Sequence, residues 1–173
     1  AECHNAHALT IKTELCSNCH GDMSSQEDLR TIRLDIQGQP LDYDGDGNTT
    51  EGIAGEVQTM HEALYAALQA YSTSTAGLQP IAFDPAAYPY WFNDANSSGK
   101  VDQGEEQYAT WTPTLLRGAY NYTWVAKDPG AFAHNNEYVM QFLYDSIQSL
   151  GGDVSGMTRP PVRAQAGFPT PAP

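Results

Sequence analysis

The sequence predicts a mainly α-helical chain with long irregular loops. Apolar residues recur at helical spacing in several segments, and no stretch alternates as a half-buried strand would. The connecting chain is rich in Asp, Gly and Pro. In order, Ser24 or Ser25 with Glu27 and Asp28 forms a capping pattern that opens a short helix through Leu29 and Ile32. Residues 35–55 read as turns. The segment 56–71 reads as an amphipathic helix, with Val57, Met60, His61, Leu64, Tyr65, Leu68 and Tyr71 on one stripe. Residues 72–110 form a long irregular stretch. Thr112 and Pro113 then supply an N-cap and a first-turn proline for a helix running to about Lys127, where Asp128-Pro129-Gly130 stops it. A last helix over roughly 136–150 gathers Val139, Phe142, Leu143, Ile147 and Leu150 and ends at Gly151-Gly152. The final residues, 153–173, are proline-rich and read as an extended or disordered tail.

Composition narrows the function. The 173 residues carry 8 basic and 21 acidic side chains, a formal charge of −13. Such a surface repels nucleic acid and anionic lipid, and it attracts divalent cations. No run approaches the roughly 18–20 apolar residues of a membrane-spanning helix. The hydrophobic fraction of 40% is modest, which suits a chain whose core is shared with a large apolar group. The 3 cysteines are an odd count that fits poorly with a pure disulfide framework.

Cys16-Ser17-Asn18-Cys19-His20 is a C-x-x-C-H motif, the signature of covalent haem attachment. Two thiols three residues apart can each form a thioether with one haem vinyl group, and the adjacent His is held beneath the iron. Two other readings use the same residues. A thioredoxin-like C-x-x-C wants a βαβ context, which the pattern lacks. A zinc site would add Cys3 and His4. The opening Ala1-Glu2-Cys3-His4 matches the last four positions of a second C-x-x-C-H, and Asn5-Ala6-His7 extends it to C-H-x-x-H. The expectation is two haems, the first attached through Cys3 with His4 as proximal ligand, the second through Cys16 and Cys19 with His20.

The run Cys3-His4-Asn5-Ala6-His7-Ala8-Leu9 through Lys12 to Cys16-Ser17-Asn18-Cys19-His20, followed by Glu27-Asp28-Leu29-Arg30-Thr31-Ile32-Arg33, resembles the closing part of large bacterial polyhaem, membrane-associated c-type cytochromes. Thr112-Pro113-Thr114-Leu115-Leu116-Arg117, Ala119-Tyr120-Asn121-Tyr122 and the stretch from Lys127 to Asn135 are similar to that family's C-terminal region. The resemblance covers nearly all of residues 1–152. It implies extracytoplasmic electron transfer, periplasmic or extracellular and in reach of the outer surface, within a many-haem wire of bis-histidine irons. The expected partners are other haem-bearing segments and redox proteins. Family members begin much earlier, so the chain reads as a C-terminal fragment or processed piece. The expected organisation is a haem-attachment segment over 1–34, a helical and loop region over 35–152, and the tail.

Two bis-histidine irons need two distal ligands beside His4 and His20. The candidates are, in order, His7 from the C-H-x-x-H spacing, His134 just before the last helix, and His61 on the apolar helix stripe. A core histidine with one hydrogen bond would occupy the place of His61 equally well. The methionines at 60 and 140 are explained by helix packing.

Two loops read as calcium sites. The stretch from Asp94 to Glu105 matches a twelve-residue EF-hand loop, with Asp94, Asn96, Ser98, Asp102 and Glu105 at places 1, 3, 5, 9 and 12, Lys100 offering its carbonyl and Gly99 at place 6. Asp42, Asp44 and Asp46 open a second loop with Asn48 at place 7. Its place 12 is Ile53, so Glu51 or Glu56 closes it only with a different loop length. Calcium there would cross-link loops that bury little. The functional expectation is therefore an electron carrier. The rivals are a multihaem reductase with an open iron, for which basic residues are scarce, and an assembly module in which haem and calcium are structural.

Overall fold

The computed structural model describes residues 3–5, 7–8, 10–33 and 41–162. The expected turns over 35–40 and the tail over 163–173 lie outside the described residues. Helices are α1 (Thr13–His20), α2 (Gln26–Arg30), α3 (Ile53–Ala70), α4 (Pro113–Lys127), α5 (Ala131–His134) and α6 (Asn136–Ser149), and two short strands are β1 (Ile81–Phe83) and β2 (Trp91–Asn93).

The body is a three-helix packing of α3, α4 and α6. The apolar stripes expected from the sequence meet here. Met60, Leu64 and Leu68 of α3, Leu115 and Ala119 of α4, and Val139, Leu143 and Ile147 of α6 are almost fully buried. Gly118 sits at the closest approach, where a Cβ would lie 2.9 Å from Leu150 Cδ1 and 3.0 Å from Leu68 Cδ2. Helix α4 starts as its sequence requires: Thr112 Oγ1 accepts the Leu115 amide at 3.1 Å and Pro113 occupies the first turn. In α2 the capping box resolves to Ser25 and Asp28, each side chain accepting the other's amide.

Helix α3 begins at Ile53, three residues before the expected start. Its first turn is apolar enough to bury, since Ile53 and Ala54 join the core, and the Ile53 amide donates to Ile32 O at 2.8 Å. The irregular stretch over 72–110 contains a small antiparallel sheet that the sequence pattern did not predict. Ile81 pairs with Asn93, Ala82 with Phe92 and Phe83 with Trp91. Strands of three residues are too short to display alternation. Their aromatics pack on α3 and α4: Trp91 lies against Tyr65, Tyr122 and Trp111, and its Nε1 donates to Thr123 Oγ1 at 3.0 Å.

Residues 153–162, which the sequence assigns to the loose tail, are docked. Thr158 N donates to Tyr43 O at 2.9 Å, Pro160 is fully buried, and Gln141 Nε2 donates to the carbonyls of Pro160 and Pro161. Arg159 makes a two-pronged contact with Asp145, at 2.7 and 2.8 Å. Prolines exclude helix here, but their carbonyls and rings still bind to a surface.

Candidate functional site

The C-x-x-C-H motif lies in the last turns of α1, and Gly21, at φ +77°, ends the helix immediately after His20. The chain then folds back, with the Met23 amide donating to Ser17 Oγ at 3.0 Å. Helix α1 buries none of its own residues. Cys16 is half-buried, Cys19 and His20 are exposed, and no disulfide joins the three cysteines. Both thiols and the imidazole are therefore presented on a helix with no core of its own. That donor set fits a large apolar group seated over it.

The second half-motif forms a tight loop. Lys12 N donates to Cys3 O at 2.9 Å, Asn5 N to Thr10 O at 2.8 Å, and the Asn5 side chain accepts the amides of His7 and Ala8. This loop brings His4 to His134, with ring centres 6.2 Å apart and planes tilted by 48°. His134 ends α5 and is oriented from behind: its Nδ1 lies 2.9 Å from Asp128 Oδ2, and Nε2 is the nitrogen without that bond. The ring lies over Gly130, where a Cβ would stand 2.6 Å from His134 Cε1. So Asp128-Pro129-Gly130 stops α4 and also seats the imidazole. Sequence reasoning found the stop and missed Asp128 as a positioning group. An Asp six residues before a His has no periodic signature.

His61 has a different environment. It is mostly buried, stacks on Tyr122 with centroids 3.9 Å apart, and its Nε2 donates to Tyr122 O at 2.9 Å. Burial pushes the imidazole below its ordinary value, only partly offset by that hydrogen bond. His7 is exposed, and no ring contact brings it to His20 among the described residues.

In the Asp94–Glu105 loop φ is positive at Ser97, Gly99 and Gly104. Its oxygens hold the loop's own groups. Asp94 accepts the amides of Ser98 and Gly99, Glu105 those of Ala95 and Asp102, and Asp102 takes Asn96 Nδ2 and the Ser98 hydroxyl. Lys100 contributes its carbonyl to Ser98 Oγ at 3.2 Å. Tyr65 OH donates to Gly99 O, fixing the loop to α3.

The carboxylates that converge belong to the other loop. Among the described residues, two groups of three have ligand oxygens all within 4.8 Å of one another: Asp42, Asp44 and Glu56, and Asp44, Asp46 and Glu51. Asn48 stays peripheral, its Oδ1 accepting the Thr50 amide at 3.1 Å. Glu56 is 2% exposed, and its Oε2 accepts the amides of Tyr43 and Asp44 at 2.9 and 3.0 Å. Burial raises Glu56 and Asp44, and burial with the neighbouring Asp44, Glu56 and Asp46 charges pushes Glu51 up to about 7. The sequence named Glu51 and Glu56 as alternatives; Glu56 falls in one of the two groups and Glu51 in the other.

C-type polyheme cytochrome OmcC of Geobacter sulfurreducens is 30% identical over 114 residues, 59% of this chain and 14% of the relative. C-type polyheme cytochrome OmcB, in two strains of that species, is 27% identical over 138 residues, 64% of this chain and 18% of the relative. The chain is related to multihaem c-type cytochromes. It spans less than a fifth of the length of these relatives. No family model matches it, and no solved structure matches it. No helix among the described residues is long and apolar enough to cross a membrane.

Proposed function

We propose that the chain carries c-type haem covalently and passes electrons, with histidine on both sides of each iron, as one segment of an extracytoplasmic many-haem conduit. The observation that carries this reading is the His4–His134 pair, 6.2 Å between ring centres. A metal–imidazole bond is about 2 Å, so two imidazoles on opposite sides of one metal have centres roughly 6 Å apart. Bound haem supplies the one-electron chemistry. Cys3 would tether one group and His4 and His134 would hold it, while Asp128 fixes the His134 ring. Cys16, Cys19 and His20 hold the second, with His7 as its distal candidate. His61, with Nε2 bound to a carbonyl and its face on Tyr122, serves packing.

The haem-attachment segment, the helical body and the C-terminal stretch act as the working divisions of the chain. Both Asp/Gly loops take calcium in a structural role, and the redox partners are other haem-bearing segments.

The test is a visible spectrum and an intact mass of the purified chain. Two covalent haems with a low-spin spectrum are expected, and His134→Ala converts one of them to a high-spin form that binds carbon monoxide. Extractable haem, or zinc alone, would remove the central claim.

A further inference from the structure

The Asp42–Glu56 cluster contains a feature that loop chemistry leaves unexplained. Asp44 is 95% buried by its 5% exposure, and its Oδ2 has no hydrogen-bond partner. Glu51 Oε1 is buried and unpartnered as well. Burial raises the Asp44 carboxyl, and the side chains of Asp42, Glu51 and Thr59 stand close to it. Unpaired buried carboxylate oxygens cost free energy unless something positive meets them. Asp44 is common to both converging groups, and in each it offers a carboxylate oxygen within 4.8 Å of the others.

We infer that Asp42, Asp44, Asp46, Glu51 and Glu56 hold one calcium ion, and that this ion fastens the haem-bearing segment and the C-terminal stretch to the start of α3. This deepens the calcium part of the proposed function and is independent of the haem assignment. The donors are all oxygen, which selects a hard cation over a transition metal. Carboxylates from an irregular loop suit the six to eight flexible ligands of calcium better than the strict octahedron of magnesium. Glu56 replaces the missing twelfth-place ligand from the first turn of α3, so the ion joins loop to helix.

Both segments are pinned to this loop. On one side, Arg33 donates to the carbonyls of Glu51 and Leu41, Gly52 lies against the Arg30 carbonyl, and Ile53 is bonded to Ile32. On the other, a Cβ at Gly45, at φ +80°, would stand 2.5 Å from Gly156 O, and Thr158 is bonded to Tyr43. The loop is thus a junction whose shape sets the position of both.

The test is calcium titration calorimetry on the chelator-stripped, haem-loaded chain, with hydrogen exchange of the same samples. Glu56→Gln keeps an oxygen for the Tyr43 and Asp44 amides. It and Asp44→Asn should each weaken calcium binding roughly ten-fold or more, the loss that even an outer-shell partner of a metal ligand causes. Asp94→Asn should leave this binding intact. Calcium should slow exchange at the amides of Ile53 and Thr158, and the haem spectrum should not change among the variants. Full-affinity binding in Glu56→Gln and Asp44→Asn overturns the ligand set while leaving calcium at the Asp94 loop. Absence of calcium uptake by the unaltered chain overturns the calcium reading as well. Unchanged exchange on chelation overturns the fastening role.

Discussion

Two histidines in this chain occupy opposite chemical situations. His134 is exposed, with Nδ1 held by Asp128, whereas His61 is inside, with its ring covered by Tyr122 and its Nε2 bound to a carbonyl. Replacing Asp128 by Asn should leave the haem attached while loosening the orientation of His134, read as a shifted reduction potential or an altered low-spin resonance spectrum. His61→Ala should cost about 1–3 kcal/mol, for a lost buried hydrogen bond and ring contact, with the low-spin spectrum intact. The pH dependence follows from the direction of its shift. Folding lowers the His61 pKa from 6.5, so the unfolded chain binds the proton first as pH falls. Stability contributed by the neutral ring is present above about 6.5 and declines on acidification below it. The difference between urea melts of the unaltered chain and of His61→Ala, from pH 7.5 to 5, should show that slope, since the raised carboxyls of the Asp42–Glu56 cluster act in both. The C-x-x-C-H motif was legible because covalent chemistry fixes its spacing. The orienting Asp128 was not, because a turn brings it to His134.

At the scale of elements, α2, α3, α4 and α6 were readable, whereas α1, α5 and the connections were not. The stripes of α3 and α6 follow from the period of apolar residues, and the α4 cap from Thr112-Pro113. Thr112→Ala should lower stability by about 1 kcal/mol, measured by denaturant unfolding. The β1–β2 pair and the docking of residues 153–162 were missed, since both depend on distant partners: Trp91 on α4, Thr158 on Tyr43. The proposed calcium loops carry their own expectation. Chelation should lower the melting temperature, because an ion that binds only the folded chain stabilises it by about 2.7 kcal/mol at a hundred times its Kd. Asp94→Ala should reproduce part of the loss. An unchanged melting temperature in excess chelator would reject both loops.

For the whole molecule, charge is the governing quantity. A formal −13 spread over these 173 residues would speed encounter with any basic partner at low salt. Rates of electron exchange with cationic and anionic test reagents should diverge at low ionic strength and converge as the Debye length shrinks to about 8 Å at 0.15 M. The aromatic residues divide by position: Trp91, Trp111 and Tyr122 stabilise the body, while Tyr88, Tyr120, Trp124 and Tyr138 face outward. Relationship to far longer multihaem cytochromes and the His4–His134 pairing support the same electron-carrier reading from different directions.

The contact between Gly45 and Gly156 joins backbone positions more than a hundred residues apart. Synthesis from the amino end brings out Cys3, Cys16 and Cys19 before Thr158. The bond from Thr158 to Tyr43 therefore forms only after more than a hundred further residues have emerged. During that interval the thiols are already out and the loop beside them is still unfastened.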